Sequence, residues 1–240
     1  MFGLFGKKSG SSALRKHAER AGNKRAQALD RWEAIQALAA AGTAEAVEAL
    51  LVRFTFYVDP TITDQEEKDA AFEGVLRSGD AALGPVTAFL RKAESISWPL
   101  KILDRLASAE EVTSKLLDML SGMDTEYERD PQRKIQVLSA LEERTDPRIV
   151  EAVTRFLEDS NETVRFTAVG ALLAQAEAEA ESAREAIVEC LCNEESVRVR
   201  NRILQGFIER GWDFADRVDE VRPKLPPGYA LDKKGVPRGP

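Results

Sequence analysis

Apolar residues recur along most of the chain at the three- and four-residue spacing that places them on one face of an α-helix. Between residues 24 and 222, short segments rich in Gly, Pro, Asp and Ser interrupt this spacing, such as Asp59-Pro60, Ser78-Gly79-Asp80 and Gly211-Trp212-Asp213. Glycine is typical of helix ends, Asp and Ser of helix starts, and proline of a first helical turn. No alternating run of β-branched residues predicts a strand. The pattern therefore predicts an all-α chain of helices of roughly 10–18 residues.

A four-position pattern repeats along this helical region. Two apolar or small residues are followed, after one position, by a small residue and then an apolar one. The six copies begin at Ala34, Ala71, Ile102, Val137, Ala168 and Ile203, 31 to 37 residues apart. The third copy is imperfect because Arg105 stands at the small position. A small residue on such a stripe lets a neighbouring helix backbone approach closely.

A second amphipathic segment follows each copy, so the repeating unit is a helix pair of about 34 residues. A single pair cannot bury its apolar stripe, whereas stacked pairs bury it against one another. We therefore predict an α-solenoid of about six helix pairs in a right-handed superhelix.

One segment of the repeat region resembles a known family. Asp159 precedes a predicted helix, Val164-Arg165 lie in its first turn, and Ala168-Val169-x-Ala171-Leu172 follow. This run is similar to the signature of bacterial HEAT-like repeats of the phycobilisome-lyase type. The resemblance implies that the Asp caps the helix and that the Arg packs along the stack, bonding to an acid of a neighbouring repeat. The first three repeats depart from the signature, and Trp98-Pro99 stands where Val-Arg is expected. Because HEAT-like arrays serve many roles, the resemblance implies a fold rather than an activity.

Charge divides the 240 residues into a basic start and an acidic remainder. Residues 1–31 carry eight basic and two acidic side chains, a net charge of +6 within a chain whose total is −7. We predict three regions: a basic leader over 1–23, flexible or a frayed helix; the repeat domain over 24–222; and a Pro/Gly-rich tail over 223–240. The tail is either a disordered end or a cap in which Tyr229 and Leu231 cover the last repeat. The acidic body repels phosphate, so we predict no nucleic-acid partner.

The leader begins with large apolar residues beside lysines. The residues concerned are Phe2, Leu4, Phe5, Lys7 and Lys8. Such a segment is typical of weak contact with an anionic membrane, and a packed or frayed terminus is the alternative. The Ser9–Ser12 segment that follows predicts a linker. No apolar run reaches the roughly 20 residues of a membrane span, and no signal peptide is evident. We therefore expect a cytoplasmic protein, with the surface of the inner membrane as the alternative location.

Few residues in the chain suggest catalysis. It has one histidine and two cysteines, and it contains no Gly-rich phosphate-binding loop. Cys190 and Cys192 are two residues apart on a predicted helix, so their side chains point in different directions and cannot share a metal or a disulfide. We predict no catalytic residue, no cofactor and no metal site.

A non-catalytic protein-interaction scaffold or adaptor is therefore the leading hypothesis. The second helices of successive pairs are expected to line a concave surface that binds a partner protein with a basic face. The predicted contact residues are Arg53, Arg91, Trp98, Lys115 and Arg155, with core packing as the alternative for Trp98. A membrane-recruited adaptor is the first alternative. A HEAT-like enzyme is the second, resembling either a DNA glycosylase, which the acidic charge disfavours, or a bilin lyase, which no residue singles out.

Overall fold

The computed structural model describes residues 6–175, 180–214 and 217–239. The α-helices are α1 (Gly6–Ala21), α2 (Ala28–Ala41), α3 (Ala44–Leu51), α4 (Thr61–Arg77), α5 (Asp80–Leu90), α6 (Ser97–Leu106), α7 (Ala109–Ser121), α8 (Gln132–Glu142), α9 (Arg148–Thr154), α10 (Glu162–Leu173), α11 (Ala180–Asn193), α12 (Val197–Arg210) and α13 (Val218–Val221). Short 3-10 helices cover Val52–Thr55, Arg155–Glu158 and Arg222–Lys224, and two-residue strands β1 (Ala230–Leu231) and β2 (Pro237–Arg238) form a hairpin. The all-α prediction is confirmed.

The six copies of the sequence pattern lie on alternate helices. They fall on α2, α4, α6, α8, α10 and α12, which we call the first helices. The helix that follows each of them, from α3 to α13, is the second helix of the pair. Capping residues end and begin these helices at interruptions in the helical spacing that the sequence analysis describes. Gly42 ends α2 with φ 61°, and the side chain of Thr43 accepts a hydrogen bond from the Ala46 N–H to start α3.

The predicted repeat region is divided between two compact units, Met1–Val112 and Thr113–Pro240, which we call unit 1 and unit 2. In unit 1, the first helices α2, α4 and α6 pack in succession, α3 packs on α5, and α1 packs on both α2 and α3. The fully buried core between these helices includes Ile35, Leu38, Leu50, Val75 and Ile102.

Unit 2 repeats this packing with the later helices. The first helices α8, α10 and α12 pack in succession, and α11 packs on α9 and on α13. Val137, Phe156, Leu172, Ile187 and Phe207 are buried between them. Neighbouring pairs therefore stack within each unit, while a superhelix of all six pairs stays a prediction.

The small position of the repeated pattern marks close helix contacts. A Cβ added to Gly74 of α4 would lie 2.6 Å from the Cβ of Ala39 on α2. A Cβ added to Gly206 of α12 would overlap the side chain of Leu173 on α10. Arg105, which breaks the pattern in α6, is exposed. The small residues therefore permit a backbone approach that a larger side chain would block.

The described part of the predicted leader is largely helical. Residues 6–21 form α1, so the predicted linker at Ser9–Ser12 is wrong. Ala21, at the end of α1, is fully buried, and Gly22 approaches the side chain of Val52. Packing on α2 and α3 stabilises this helix despite the weak helix propensity of its Gly- and Ser-rich start.

The C-terminal tail folds back onto α12, which is the first helix of the last pair. Its strand β2 packs on α12, and the Phe214 N–H donates to the Gly235 carbonyl at 3.2 Å. Asp232 organises the hairpin turn, because its carboxylate accepts hydrogen bonds from the backbone N–H groups of Lys234 and Val236. The tail thus packs on α12, and Tyr229 and Leu231 are half-buried, while its role as a cap stays a prediction.

Candidate functional site

A groove of about 600 Å³ lies in unit 2. The lining residues come from the end of α9, the following 3-10 helix, the start of α10 and one face of α11: Thr154, Leu157, Glu158, Asp159, Ser160, Arg165, Ala186, Glu189, Cys190, Asn193, Glu194 and Glu195. The groove therefore lies largely between second helices, the part of each pair from which the sequence predicts a binding surface.

Helix periodicity explains the long wall of the groove. Ala186, Glu189, Cys190 and Asn193 are three, four and seven residues apart, so they share one face of α11. At 1.5 Å per residue this face is about 10 Å long. The apolar side chains of the lining, which we call the floor of the groove, are Leu157, Ala186 and Cys190; Leu157 is 5% exposed. The groove thus combines an apolar floor with carboxylates along its edges.

One end of the groove is closed by an ion pair. Arg165 of α10 donates from Nε and Nη2 to the two carboxylate oxygens of Glu194, at 2.8 and 2.9 Å. Glu194 is 5% exposed and also accepts from the backbone N–H groups of Glu195 and Ser196. Burial alone raises the pKa of Glu194, but the bonds from Arg165 and the backbone outweigh it and leave that pKa below its usual range. This carboxylate is therefore ionised and fully bonded within the protein.

The contact between Arg165 and Glu194 joins α10 to the loop before α12. The role that the HEAT-like resemblance implies for Asp159 is wrong. The side chain of Asn161, not Asp159, caps α10 by accepting from the Thr163 and Val164 N–H groups.

Asp159 instead binds a buried lysine. The Lys134 Nζ lies 2.9 Å from the Asp159 carboxylate and donates to the backbone carbonyls of Asp124 and Glu126. Lys134 is 3% exposed and Asp159 is 1% exposed. The pair ties the loop before α8 to the polar end of the groove, and the bond from the Ser160 N–H to the Thr125 carbonyl adds a second link.

Three further carboxylates lie on the exposed edge of the groove. Glu189 pairs with Arg217 at 3.0 Å, and the hydrogen bonds from Arg217 and Asn193 lower the pKa of Glu189. Glu158 and Glu195 are exposed, and neither carboxylate forms an ion pair within the described part of the chain. The groove therefore keeps two negative charges that the surrounding side chains do not neutralise.

Cys190 is a structural thiol on the groove floor. Burial, followed by the nearby charge of Glu194, raises its pKa to about 12. At neutral pH it is therefore a thiol rather than a nucleophilic thiolate. Both cysteines are half-buried and free.

The structure corrects the surface role predicted for Arg53. This residue is 0% exposed and donates to Glu67 at 2.7 Å and to Asp64 at 2.8 Å. Arg31 also pairs with Glu67, and Lys68 with Asp64, so that three cations and two carboxylates form one buried network in unit 1. Arg53 therefore holds the core together and is not available to a partner.

The same network fixes the loop between α3 and α4. Arg53 donates to the Phe56 carbonyl, and Asp64 accepts from the Val58 N–H. The Lys68 ammonium lies 3.7 Å from the centre of the Tyr57 ring. Sequence reasoning missed the network, although charged residues at core-facing positions of α2 and α4 were a signal that could have indicated it.

The other predicted contact residues are dispersed. Arg91 is exposed, Lys115 is half-buried, and Arg155 is exposed beside a second cleft in unit 2, where it donates to the Leu120 carbonyl. Trp98 is half-buried and stacks on Phe54 with ring centres 4.7 Å apart, which favours the packing alternative. None of these residues lines the acidic groove.

The predicted membrane-contact residues cannot be placed in the same way. Phe2, Leu4 and Phe5 lie outside the described residues, and Lys7 and Lys8 are described only as part of the α1 backbone. Within the described ranges, no helix is both long enough and apolar enough to span a bilayer.

The described residues define the class of the molecule but not a named family. No three His, Cys, Asp or Glu side chains in these ranges are arranged to hold a metal ion. The chain is an all-α protein whose helix pairs stack within each unit. Comparison with protein-family models finds no match, and comparison with curated protein sequences finds no similar protein.

Proposed function

We propose that the protein is a non-catalytic interaction scaffold that binds a cationic segment of a partner protein in the groove of unit 2. The observation that supports this most directly is the pair of unneutralised carboxylates, Glu158 and Glu195, beside the apolar floor around Leu157. A Lys or Arg side chain supplies the missing charge, and its methylene groups pack on the floor.

The groove suits a short segment rather than a large surface. Its 10 Å wall accommodates about three residues of an extended chain or two turns of a helix. Arg165 and Lys134 already neutralise the two buried carboxylates, so they position the site and leave recognition to the exposed edge. The relation to HEAT-like repeats, which the stacking of neighbouring pairs and the contact of Arg165 with Glu194 support, is part of the same proposal.

Fluorescence anisotropy with labelled hexalysine tests the proposal, and hexaglutamate serves as the control probe. We expect hexalysine to bind at low salt and to weaken as salt rises, because exposed ion pairs are screened. Replacing both edge carboxylates, E158Q/E195Q, is expected to weaken binding about tenfold, since each exposed pair contributes up to about 1 kcal/mol.

A matched variant separates this effect from total charge. E143Q/E209Q removes two exposed carboxylates of unit 2 that do not line the groove, and we expect it to bind within about twofold of the parent. Absence of hexalysine binding at low salt, or equal losses in the two double variants, contradicts the proposal.

A further inference from the structure

The outward face of α1 is strongly basic. Arg15, Lys16 and Arg20 are exposed on this helix, and Lys24 and Arg25 follow directly after it. The carboxylate of Glu19 pairs with Arg15 at 3.5 Å. The opposite side of α1 packs on α2 and α3, so the basic face is presented by an ordered helix rather than by a loose terminus.

Lys16 and Arg20 are separated by one turn of this face. A separation of four residues corresponds to a rise of about 6 Å, so both side chains project to the same side. Neither forms an ion pair within the described residues, in contrast to the buried Arg31 and Arg53. Unit 1 therefore carries, on one side of α1, two exposed cations that form no ion pair within the described residues.

We propose that the basic face of α1 in one copy of the protein docks into the groove of unit 2 in a second copy. This inference rests on the proposed function, because it uses the same groove and identifies one partner for it. Lys16 and Arg20 provide two cations for the two unneutralised carboxylates, Glu158 and Glu195. The methylene groups of both cations, together with Ala13 one turn earlier, face the apolar floor.

The two surfaces are different parts of the chain, so the contact is heterologous. Each copy that uses its groove still has a free basic face, and each copy that uses its basic face still has a free groove. Association therefore forms chains or closed rings rather than a two-fold dimer. It is expected to be weak and sensitive to salt, because exposed ion pairs contribute little individually and are screened.

Sedimentation velocity of the full chain over a concentration series tests the contact. At about 50 mM salt we expect the weight-average sedimentation coefficient to rise with concentration, and at about 500 mM salt we expect the monomer. K16E/R20E and E158K/E195K are each expected to remain monomeric at low salt. K233E/K234E applies the same charge reversal to exposed lysines of the tail hairpin and is expected to associate like the parent.

Mixing two variants that do not self-associate provides the decisive test of the contact. For this test the variants are the neutral forms K16Q/R20Q and E158Q/E195Q, because two charge-reversed chains would also attract each other through their reversed surfaces. K16Q/R20Q retains an intact groove and E158Q/E195Q retains an intact basic face, so their mixture is expected to form a one-to-one complex that grows no further. Circular dichroism of each variant checks folding, and K16Q/R20Q replaces a charge-reversed chain that fails to fold.

Several results overturn the inference. They are a monomeric parent at all concentrations and low salt, loss of association in K233E/K234E alone, and failure of the mixture to form a complex. Binding to anionic vesicles that requires Lys16 and Arg20, without self-association, identifies lipid as the target and also overturns it. Hexalysine binding to the groove is measured independently, so the proposed function can stand when this inference fails.

Discussion

Replacing Gly74 by Ala tests whether close helix contacts explain the repeated small position. Gly to Ala inside a helix normally stabilises a protein by about 1 kcal/mol. The added Cβ would lie 2.6 Å from the Cβ of Ala39 and 3.2 Å from its Cα, and the second distance involves backbone that cannot rotate away. Overpacking of this kind costs about 1–3 kcal/mol. We therefore expect a net loss of about 1 kcal/mol in the free energy of unfolding.

Urea unfolding of the full chain measures this loss. Circular dichroism follows the helices, and the fluorescence of Trp32 and Trp98 reports on unit 1, although Trp212 of unit 2 contributes to the signal. In the double variant A39G/G74A the methyl group moves from one helix to the other. We expect the free energy of unfolding of the double variant to be about 1 kcal/mol higher than the sum of the two single effects predicts, because Ala39 carries the atom in closest contact.

Ala40→Gly provides the matched control. This residue is exposed on the same helix as Ala39, so its replacement measures the helix-propensity cost without relieving a contact. An increase in stability for Gly74→Ala refutes the reasoning. The reasoning is also refuted if Ala40→Gly offsets the stability loss of Gly74→Ala as much as Ala39→Gly does.

Four other perturbations address the buried charges, the groove and the leader. Lys134→Met leaves a buried carboxylate without its partner, so we expect a loss of about 3 kcal/mol in urea unfolding and faster amide exchange in residues 124–128. Burial raises the pKa of Asp64, but bonds from Lys68 and other donors outweigh it, so its folded pKa is lowered. The stabilisation that ionised Asp64 contributes is present above the unfolded pKa of about 3.9 and is lost as pH falls through the folded value. We therefore expect the free energy of unfolding of Asp64→Asn to decrease less at acidic pH than that of the parent. Cys190 should resist iodoacetamide at pH 8 in the folded chain and react after denaturation, as measured by mass spectrometry; rapid native labelling contradicts its raised pKa. The membrane alternative predicts that deleting residues 1–8 lowers flotation with anionic vesicles, and equal flotation of both chains would exclude it.

The groove shows how carboxylates that line one site serve two purposes. Glu194 and Asp159 are buried and bonded to Arg165 and Lys134, so replacing either is expected to change stability first. Glu158 lies at the solvent edge, and its replacement is expected to change binding first. Stability and affinity therefore report on different carboxylates of one site.

Arg53 illustrates where sequence reasoning fails. In the sequence it follows the apolar stripe of a second helix and resembles an exposed arginine beside a binding surface. In the structure its guanidinium is satisfied by Asp64 and Glu67, which lie 11 and 14 residues further along the chain. Helix periodicity assigns a residue to a face, but it does not reveal which polar groups from other helices meet that face.

The tail and the leader follow the same principle. The 3-10 helix over Arg222–Lys224 extends two residues into the predicted Pro/Gly-rich tail, and no helix follows it among the described residues. The hairpin turn at Asp232 uses side-chain and backbone bonds that are local in sequence. The position of that hairpin on α12 depends on Phe214 and Gly235, which are far apart in the chain. Likewise, α1 packs on α2 and α3, and the buried Ala21 lies at the end of α1.

By itself, the sequence determined the all-α class, the alternation of first and second helices, and the small residues at Gly74 and Gly206, because these depend on local periodicity and side-chain size. Only the tertiary structure decided which charges are neutralised. Glu194 finds its counter-ion 29 residues away in Arg165, whereas Glu158 and Glu195 remain at the groove edge with no counter-ion among the described residues. Such pairings depend on the packing of separate helices, and no local pattern encodes the distances between them.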